Sequence, residues 1–232
     1  MPDKKVLLVM HQATSDPGRV GEALRTLGYQ LDMRVPAIGD PLPSDPHEHA
    51  ATVIFGGPMS ANDDHEDFIR EETAFVDKLL AAERPYFGIC LGAQIMARCL
   101  GADVTRHPAG CMEIGYYRVE PTEAGTHYFT EHLNAFQWHK EGFDLPRDCT
   151  LLATGDLFPN QAFRFGKKAY GIQFHPEVTE AMNRRWLKKA SHMLVEPGAK
   201  PADQHLADRQ AYDNDMRLWL DNFLQGWIGP TE

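Results

Sequence analysis

The chain has 232 residues, enough for one large domain or two small ones and for a substantial core. Apolar residues make up 43% and charged residues 24%, a composition that excludes an intrinsically disordered chain. The net charge of −10, with no cluster of Lys or Arg, argues against nucleic acid or an anionic membrane as a partner.

The residues from Met1 to Lys5 lead into only five apolar positions, Val6 to Met10, so no signal peptide is readable. No apolar run reaches the roughly 18 residues of a membrane span. Val6 to Met10 reads instead as a buried strand. Asp16-Pro17 opens a helix with Val20, Ala23, Leu24 and Leu27 on one face, and Gly28 stops it. Tyr29 to Val35 is a second strand. Pro36 to Pro46 holds four prolines and reads as a loop. Ala51 to Phe55 is a third strand, ended by Gly56-Gly57-Pro58. Phe68, Phe75, Val76, Leu79 and Leu80 then mark a long amphipathic helix. Pro85 to Ile89 is a short strand, and Leu91 to Leu100 a helix.

Strands alternating with helices predict an α/β fold, with a mostly parallel central sheet and helices on both faces. Beyond Gly101 the strands come with little helix between them: Val104–Arg106, Ile114–Glu120, Ala135–Trp138, Leu151–Thr154, Gln161–Phe165 and Ala169–Phe174. Some of these fit antiparallel additions to the sheet. From Val178 the chain is mainly helical. Met182, Trp186, Ala190 and Met193 form one stripe; Leu206, Met216, Leu220, Phe223 and Leu224 form another. The expectation is a single domain over residues 1–232, with a core to residue 180 and a helical C-terminal extension over 181–232.

The four cysteines, Cys90, Cys99, Cys111 and Cys149, form no Cys-x-x-Cys pair, so no zinc site is expected and no metal or other cofactor is called for. Free thiols fit a reducing, cytoplasmic location. One of them stands out. In Gly88-Ile89-Cys90-Leu91-Gly92-Ala93-Gln94, Cys90 lies between a buried strand and a helix, in the cysteine form of a nucleophile elbow. The flanking glycines permit a sharp turn, and the helix N-terminus suits a negative charge on the sulfur. The backbone N–H of Leu91 can point at a developing oxyanion. The bland alternative is a small buried cysteine in a glycine-rich turn.

A thiolate nucleophile needs a proton acceptor. His175, in Gln173-Phe174-His175-Pro176-Glu177, closes a strand-like run. Glu177 two residues on would face the same side of an extended backbone and hold the imidazole. Gly56-Gly57 also ends a strand, and ligand sites in parallel sheets gather at such ends. The N–H of Gly57 is the second oxyanion candidate.

Together and in this order, the three segments resemble the class I glutamine amidotransferase domain, over roughly residues 4 to 180. Within that family the likeness is to the GMP synthase domain and its stand-alone relatives. The resemblance implies a flavodoxin-like sheet and a Cys90–His175–Glu177 triad. It implies that Cys90 attacks the glutamine side-chain amide and forms a glutamyl thioester. His175 protonates the leaving ammonia and then activates water. It places Gly57 and Leu91 at the oxyanion and Gln94 at the substrate. Trp138 and His139 fall where relatives carry a loop that binds the amino-acid end of glutamine. Glu113 and Gly115 also match a family segment, without an assigned role. The sequence holds no Ser-Gly-Gly-x-Asp-Ser pyrophosphatase loop and no P-loop. The implied partners are therefore a small-molecule substrate and a separate synthetase subunit that takes the ammonia. The alternatives are a stand-alone γ-glutamyl peptide hydrolase, a silent regulatory subunit and a different cysteine-elbow hydrolase.

Other features have plainer readings. His47 and His49 around Glu48 are a solvated loop. Cys99 is core. Cys111 and Cys149 show no nucleophile context. His11 and Gln12 end the first strand and read as a plain turn, the alternative being a lining of the pocket edge. Asp63-Asp64-His65-Glu66-Asp67 is an acidic helix start. Trp186, Trp219, Phe223 and Trp227 are packing residues.

Overall fold

The computed structural model describes residues 4–230. The outermost ends of the expected domain, and with them Met1 to Asp3 of the leader reading, lie outside the described residues. The first half alternates as expected: β1 (Lys5–Val9), α1 (Gly18–Thr26), β2 (Gln30–Arg34), β3 (Ala51–Ile54), α2 (Asp67–Ala81), β4 (Tyr86–Ile89) and α3 (Leu91–Cys99). The second half is strand-rich, with β5 (Val104–Arg106), β6 (Glu113–Pro121), β7 (Leu133–His139), β8 (Glu141–Phe143), β9 (Cys149–Thr154), β10 (Ala162–Phe165) and β11 (Ala169–Ile172). It closes with α4 (Glu180–Lys189) and α5 (Ala202–Trp227).

The main sheet has nine strands in the order β2-β1-β3-β4-β11-β10-β9-β6-β7. From β2 to β11 every neighbour is parallel, in the strand order of a flavodoxin-like doubly wound sheet. From β11 onward the pairings are antiparallel, so the later strands extend the sheet at one side. β5 and β8 form a small antiparallel pair of their own.

Alternation along the parallel strands divides the core between two faces. Val6, Leu8, Val53 and Phe87 meet α1 and α5 on one side. Leu7, Val9, Ile54 and Tyr86 meet α2 and α3 on the other. Both faces of these strands are thus buried, which is why they read as unbroken apolar runs.

The C-terminal helix α5 carries an aromatic ladder. Phe223 stacks between Trp219 and Trp227, and its ring lies 4.8 Å from that of Phe87. The Trp227 indole donates to the Lys168 carbonyl at 2.8 Å. Earlier in α5 the stripe differs from expectation. Leu206 is only half-buried, whereas His205 and Arg209 are buried. Arg209 can be inside because its guanidinium donates to the Val178 carbonyl and pairs with Asp213. No helix among the described residues is long and apolar enough to cross a membrane.

Truncating Phe223 to Ala removes the middle ring of the ladder, one of the two that join α5 to Phe87 of β4. The expected loss is about 3–5 kcal/mol of unfolding free energy. A urea melt that moves by less than about 1 kcal/mol would show that α5 adds little to this face.

Candidate active site

Parallel pairing brings one set of strand ends to a common edge. Val9 pairs with Ile54, Ile54 with Gly88, and Ile89 with Ile172. The residues that follow each of these ends are His11, Gly56-Gly57, Cys90 and His175. They are far apart in sequence and adjacent in space.

Cys90 has φ 51° and ψ −103°, a conformation that ordinary side chains rarely adopt. Its N–H donates to the Ile172 carbonyl at 2.8 Å, and its carbonyl accepts from the Gln94 N–H at 3.0 Å. The turn is therefore tied to β11 behind it and to α3 ahead of it. The two elbow glycines make the turn possible by close approach. A Cβ on Gly92 would lie 2.2 Å from the Ile54 carbonyl oxygen, and one on Gly88 would lie 2.6 Å from the Gly92 backbone. Leu91 opens α3 directly after the sulfur.

β11 ends at Ile172, so the expected strand to Phe174 is two residues too long. The backbone bends at Gln173-Phe174 and turns at Pro176-Glu177. The His175 and Glu177 side chains meet nevertheless, with Nδ1 to Oε1 at 2.8 Å and both side chains 4% exposed. The His175 N–H is anchored on the Phe136 carbonyl of β7 at 2.8 Å. Burial disfavours the imidazolium, but the neighbouring Glu177 carboxylate and the Cys90 sulfur outweigh it and raise the His175 pKa above its ordinary value. Its second nitrogen, Nε2, is buried with no hydrogen-bond partner at ordinary geometry among the described residues, and the Cys90 side chain is the polar group besides Glu177 that acts on the ring. That leaves one ring nitrogen committed to the carboxylate and the other available for proton transfer.

Gly56 fills the space between the two segments. A Cβ there would lie 2.7 Å from the His175 ring and 3.4 Å from the Cys90 Cβ. Gly57 lies between His11 and the Leu91 side chain, with an added Cβ 2.8 Å from one and 3.1 Å from the other. Cys90, His175, Glu177, Gly57 and Leu91 thus come together.

The expected substrate-binding residues are placed differently. Gln94 is buried one turn into α3, and its amide donates to the Glu141 carbonyl at 2.8 Å. Trp138 and His139 end strand β7, in line with the strand read to Trp138 and in place of the loop that the resemblance implied, because β6 and β7 pair continuously from Glu113–His139 to Val119–Leu133. His139 is held at both nitrogens, by Glu113 Oε2 at 2.9 Å and by the Glu141 carbonyl at 2.9 Å. Gln161 donates to the same Glu113 oxygen. Trp138 packs on Trp186, which meets the His175 ring edge-on at a centroid distance of 5.2 Å. Trp186, read as a packing residue, therefore touches the site.

Several lone candidates have ordinary partners. His49 turns inward to Asp32 at 2.9 Å. The Cys99 thiol contacts the Thr73 carbonyl, and burial pushes its pKa far up. All four cysteines are free. Asp64, in the acidic helix start, pairs with Arg98.

The sequence reading missed the buried contact between His11 and Glu72. The imidazole Nε2 lies 3.1 and 3.2 Å from the two carboxylate oxygens. A signal was present. Glu72 stands four residues after Phe68 and three before Phe75, inside the apolar stripe of α2, where a carboxylate needs a partner.

A family model described as glutamine amidotransferase class-I matches residues 19–192. The chain belongs to the class I glutamine amidotransferase family. Membership implies hydrolysis of the glutamine side-chain amide. The chain is 28% identical over 227 residues to YfeJ, a glutamine amidotransferase-like protein of Salmonella typhimurium, covering 93% of this chain and 94% of that one. It is 37% identical over 103 residues to the GMP synthase of Vibrio atlanticus, which covers 43% of this chain and only 20% of that enzyme. A solved glutamine amidotransferase from Thermotoga maritima superposes with a TM-score of 0.86 at 30% identity over 97% of both chains. One from Methylobacillus flagellatus superposes at 0.92 with 26% identity, covering 99% of this chain and 96% of that one.

The elbow geometry makes a specific demand on Gly92. Gly92→Ala drives a methyl into the β3 backbone and is expected to cost about 1–3 kcal/mol through overpacking. Gly226→Ala, in an α5 position with open space around it, is expected to be neutral or to stabilise by up to about 1 kcal/mol. Paired urea melts check both, and equal effects would contradict the close approach.

Proposed function

We propose that this amidotransferase hydrolyses the side-chain amide of glutamine through a covalent Cys90 intermediate. The reading rests above all on the His175–Glu177 pair beside a strained, strand-end cysteine. His175 Nε2 takes the thiol proton of Cys90 as Sγ forms a bond to the amide carbon. The oxyanion that develops is held by the N–H groups of Gly57 and Leu91. His175, oriented through Nδ1 by Glu177, gives a proton from Nε2 to the leaving nitrogen, and the C–N bond breaks to release ammonia. The product is a glutamyl thioester on Cys90. A water molecule then gives a proton to His175 and attacks the thioester, which releases glutamate and restores the thiol. The sum is glutamine and water converted to glutamate and ammonia.

Gln94, Trp138 and His139 support the substrate pocket. Gln94 and His139 do so by fixing the Glu141 backbone, to which both are bonded. The ammonia goes to an acceptor on a separate synthetase partner. The same thioester can form from a γ-glutamyl peptide, with an amine as the leaving group in place of ammonia. Substrate preference therefore decides between an ammonia supplier and a peptide hydrolase.

The test is glutamate release by the purified protein, with glutamine and a γ-glutamyl dipeptide compared side by side. Cys90→Ala is expected to lower turnover by on the order of a thousandfold or more, because the nucleophile and its partners act as a unit. Turnover that survives in Cys90→Ala would overturn the proposal. Faster turnover of the dipeptide than of glutamine would reassign the protein as a γ-glutamyl hydrolase.

A further inference from the structure

Beneath the Gly56-Gly57 turn lies a second imidazole–carboxylate pair, separate from His175 and Glu177. His11 follows β1 and Glu72 lies in α2. Both side chains are fully buried. Nε2 of His11 faces both oxygens of Glu72, and Nδ1 lies 3.1 Å from the carbonyl oxygen of Gly56. That carbonyl belongs to the same peptide unit as the N–H of Gly57. The Gly57 backbone rests on the His11 side chain: an added Cβ would come within 2.8–2.9 Å of His11 Cβ and Cγ.

We infer that His11 and Glu72 form a positioning pair that fixes and polarises the Gly56–Gly57 peptide, so that its N–H is a stronger donor to the reaction's oxyanion. The inference rests on the proposed role of Gly57.

The chemistry follows from the acceptors around the ring. A carbonyl oxygen only accepts, and so does an ionised carboxylate. An imidazole with such a group at each nitrogen satisfies both when it carries two protons. Burial opposes that charge, but Glu72 outweighs it, and the His11 pKa is raised. Glu72 is the charged group that α2 brings to the ring. On β4, the Tyr86 phenol donates to the Gly92 carbonyl and feels the same carboxylate. Across the Gly56 backbone stands His175. A cationic donor on the Gly56 oxygen draws amide electron density toward oxygen, through the resonance that makes the peptide planar. The N–H at the other end of the unit then becomes more positive. Hydrogen bonds in such a chain strengthen one another. With Nε2 tied to Glu72, the Nδ1–H also holds the turn, so the Gly57 N–H needs no reorientation as charge develops.

His11→Asn leaves a neutral donor close to the position of Nδ1 and removes the charge. Glu72→Gln keeps the shape and removes the counter-charge. Glutamine turnover is measured for each beside alkylation of Cys90 by iodoacetamide, a displacement at saturated carbon that forms no oxyanion. Both variants are expected to lose about 10–100-fold in kcat, less than deletion of an oxyanion donor outright. KM and the alkylation rate are expected to stay within about twofold. Unchanged kcat, or alkylation that falls in step with it, would overturn the inference in favour of a purely structural pair. A second readout is independent of turnover. In 15N-labelled wild-type protein both His11 ring nitrogens are expected to be protonated at pH 7, and the Gly57 amide proton to shift upfield in His11→Asn. A neutral His11 ring, or an unmoved Gly57 resonance, would overturn the inference whether or not Cys90 proves to be the nucleophile. Loss of Cys90-dependent turnover in the wild type, with those resonances as expected, would count against the proposed function alone.

Discussion

Parallel pairing of β1, β3, β4 and β11 is the constraint on which the rest depends. It forces the C-terminal ends of these strands onto one edge of the sheet. The chain must turn immediately after each end, and each turn carries one component: an imidazole after β1, two glycines after β3, the cysteine after β4, and a second imidazole after β11. Strand register fixes the height of every component to within a residue. The close approaches at Gly88 and Gly92 then let α3 start directly behind the sulfur. An antiparallel sheet would send alternate ends to opposite edges and separate the same residues.

Buried histidine–glutamate pairs recur around this edge. His175 meets Glu177, His11 meets Glu72, and His139 meets Glu113. In each, a carboxylate settles one side of an imidazole ring and directs the other nitrogen. For His139 and His11 that nitrogen meets a backbone carbonyl, in one case near Gln94 and in the other at the glycine turn. For His175 it has no carbonyl partner among the described residues, and the Cys90 side chain acts on the ring instead. The same pairing therefore holds backbone at two positions and turns the third ring toward the cysteine turn. The cost of burying these groups is offset because every carboxylate involved has a partner on a neighbouring element or turn.

The parts of the fold set by local pattern were legible in the sequence. The apolar runs of β1, β3 and β4 belong to strands covered on both faces. Gly28 marks the end of α1, and the spacing of Phe75, Val76 and Leu79 marks α2. Cys90 was legible because an elbow needs glycines at fixed offsets. β8 was not legible, since three residues with a central glycine give no alternation to read. The pattern carried the seventh strand to Trp138, and only the resemblance placed Trp138 and His139 in a loop. Their strand is set by pairing with β6. The length of β11 was overread because Gln173 and Phe174 are buried, as strand residues are, yet lie in a bend. The contact between His11 and Glu72 spans 61 residues and depends on how α2 crosses β1, which no local pattern encodes. Arg209 escaped notice for a similar reason, because its acceptor is the backbone of Val178 on a distant turn.

The central claim is that four strand ends assemble one reactive thiol that recognises a γ-glutamyl group. Its most direct test is labelling with a glutamine-shaped electrophile, followed by peptide mapping of all four cysteines. The expected result is label on Cys90 alone, with the rate slowed by added glutamine. Label spread over Cys99, Cys111 and Cys149, or Cys90 labelling that glutamine fails to slow, would contradict the claim.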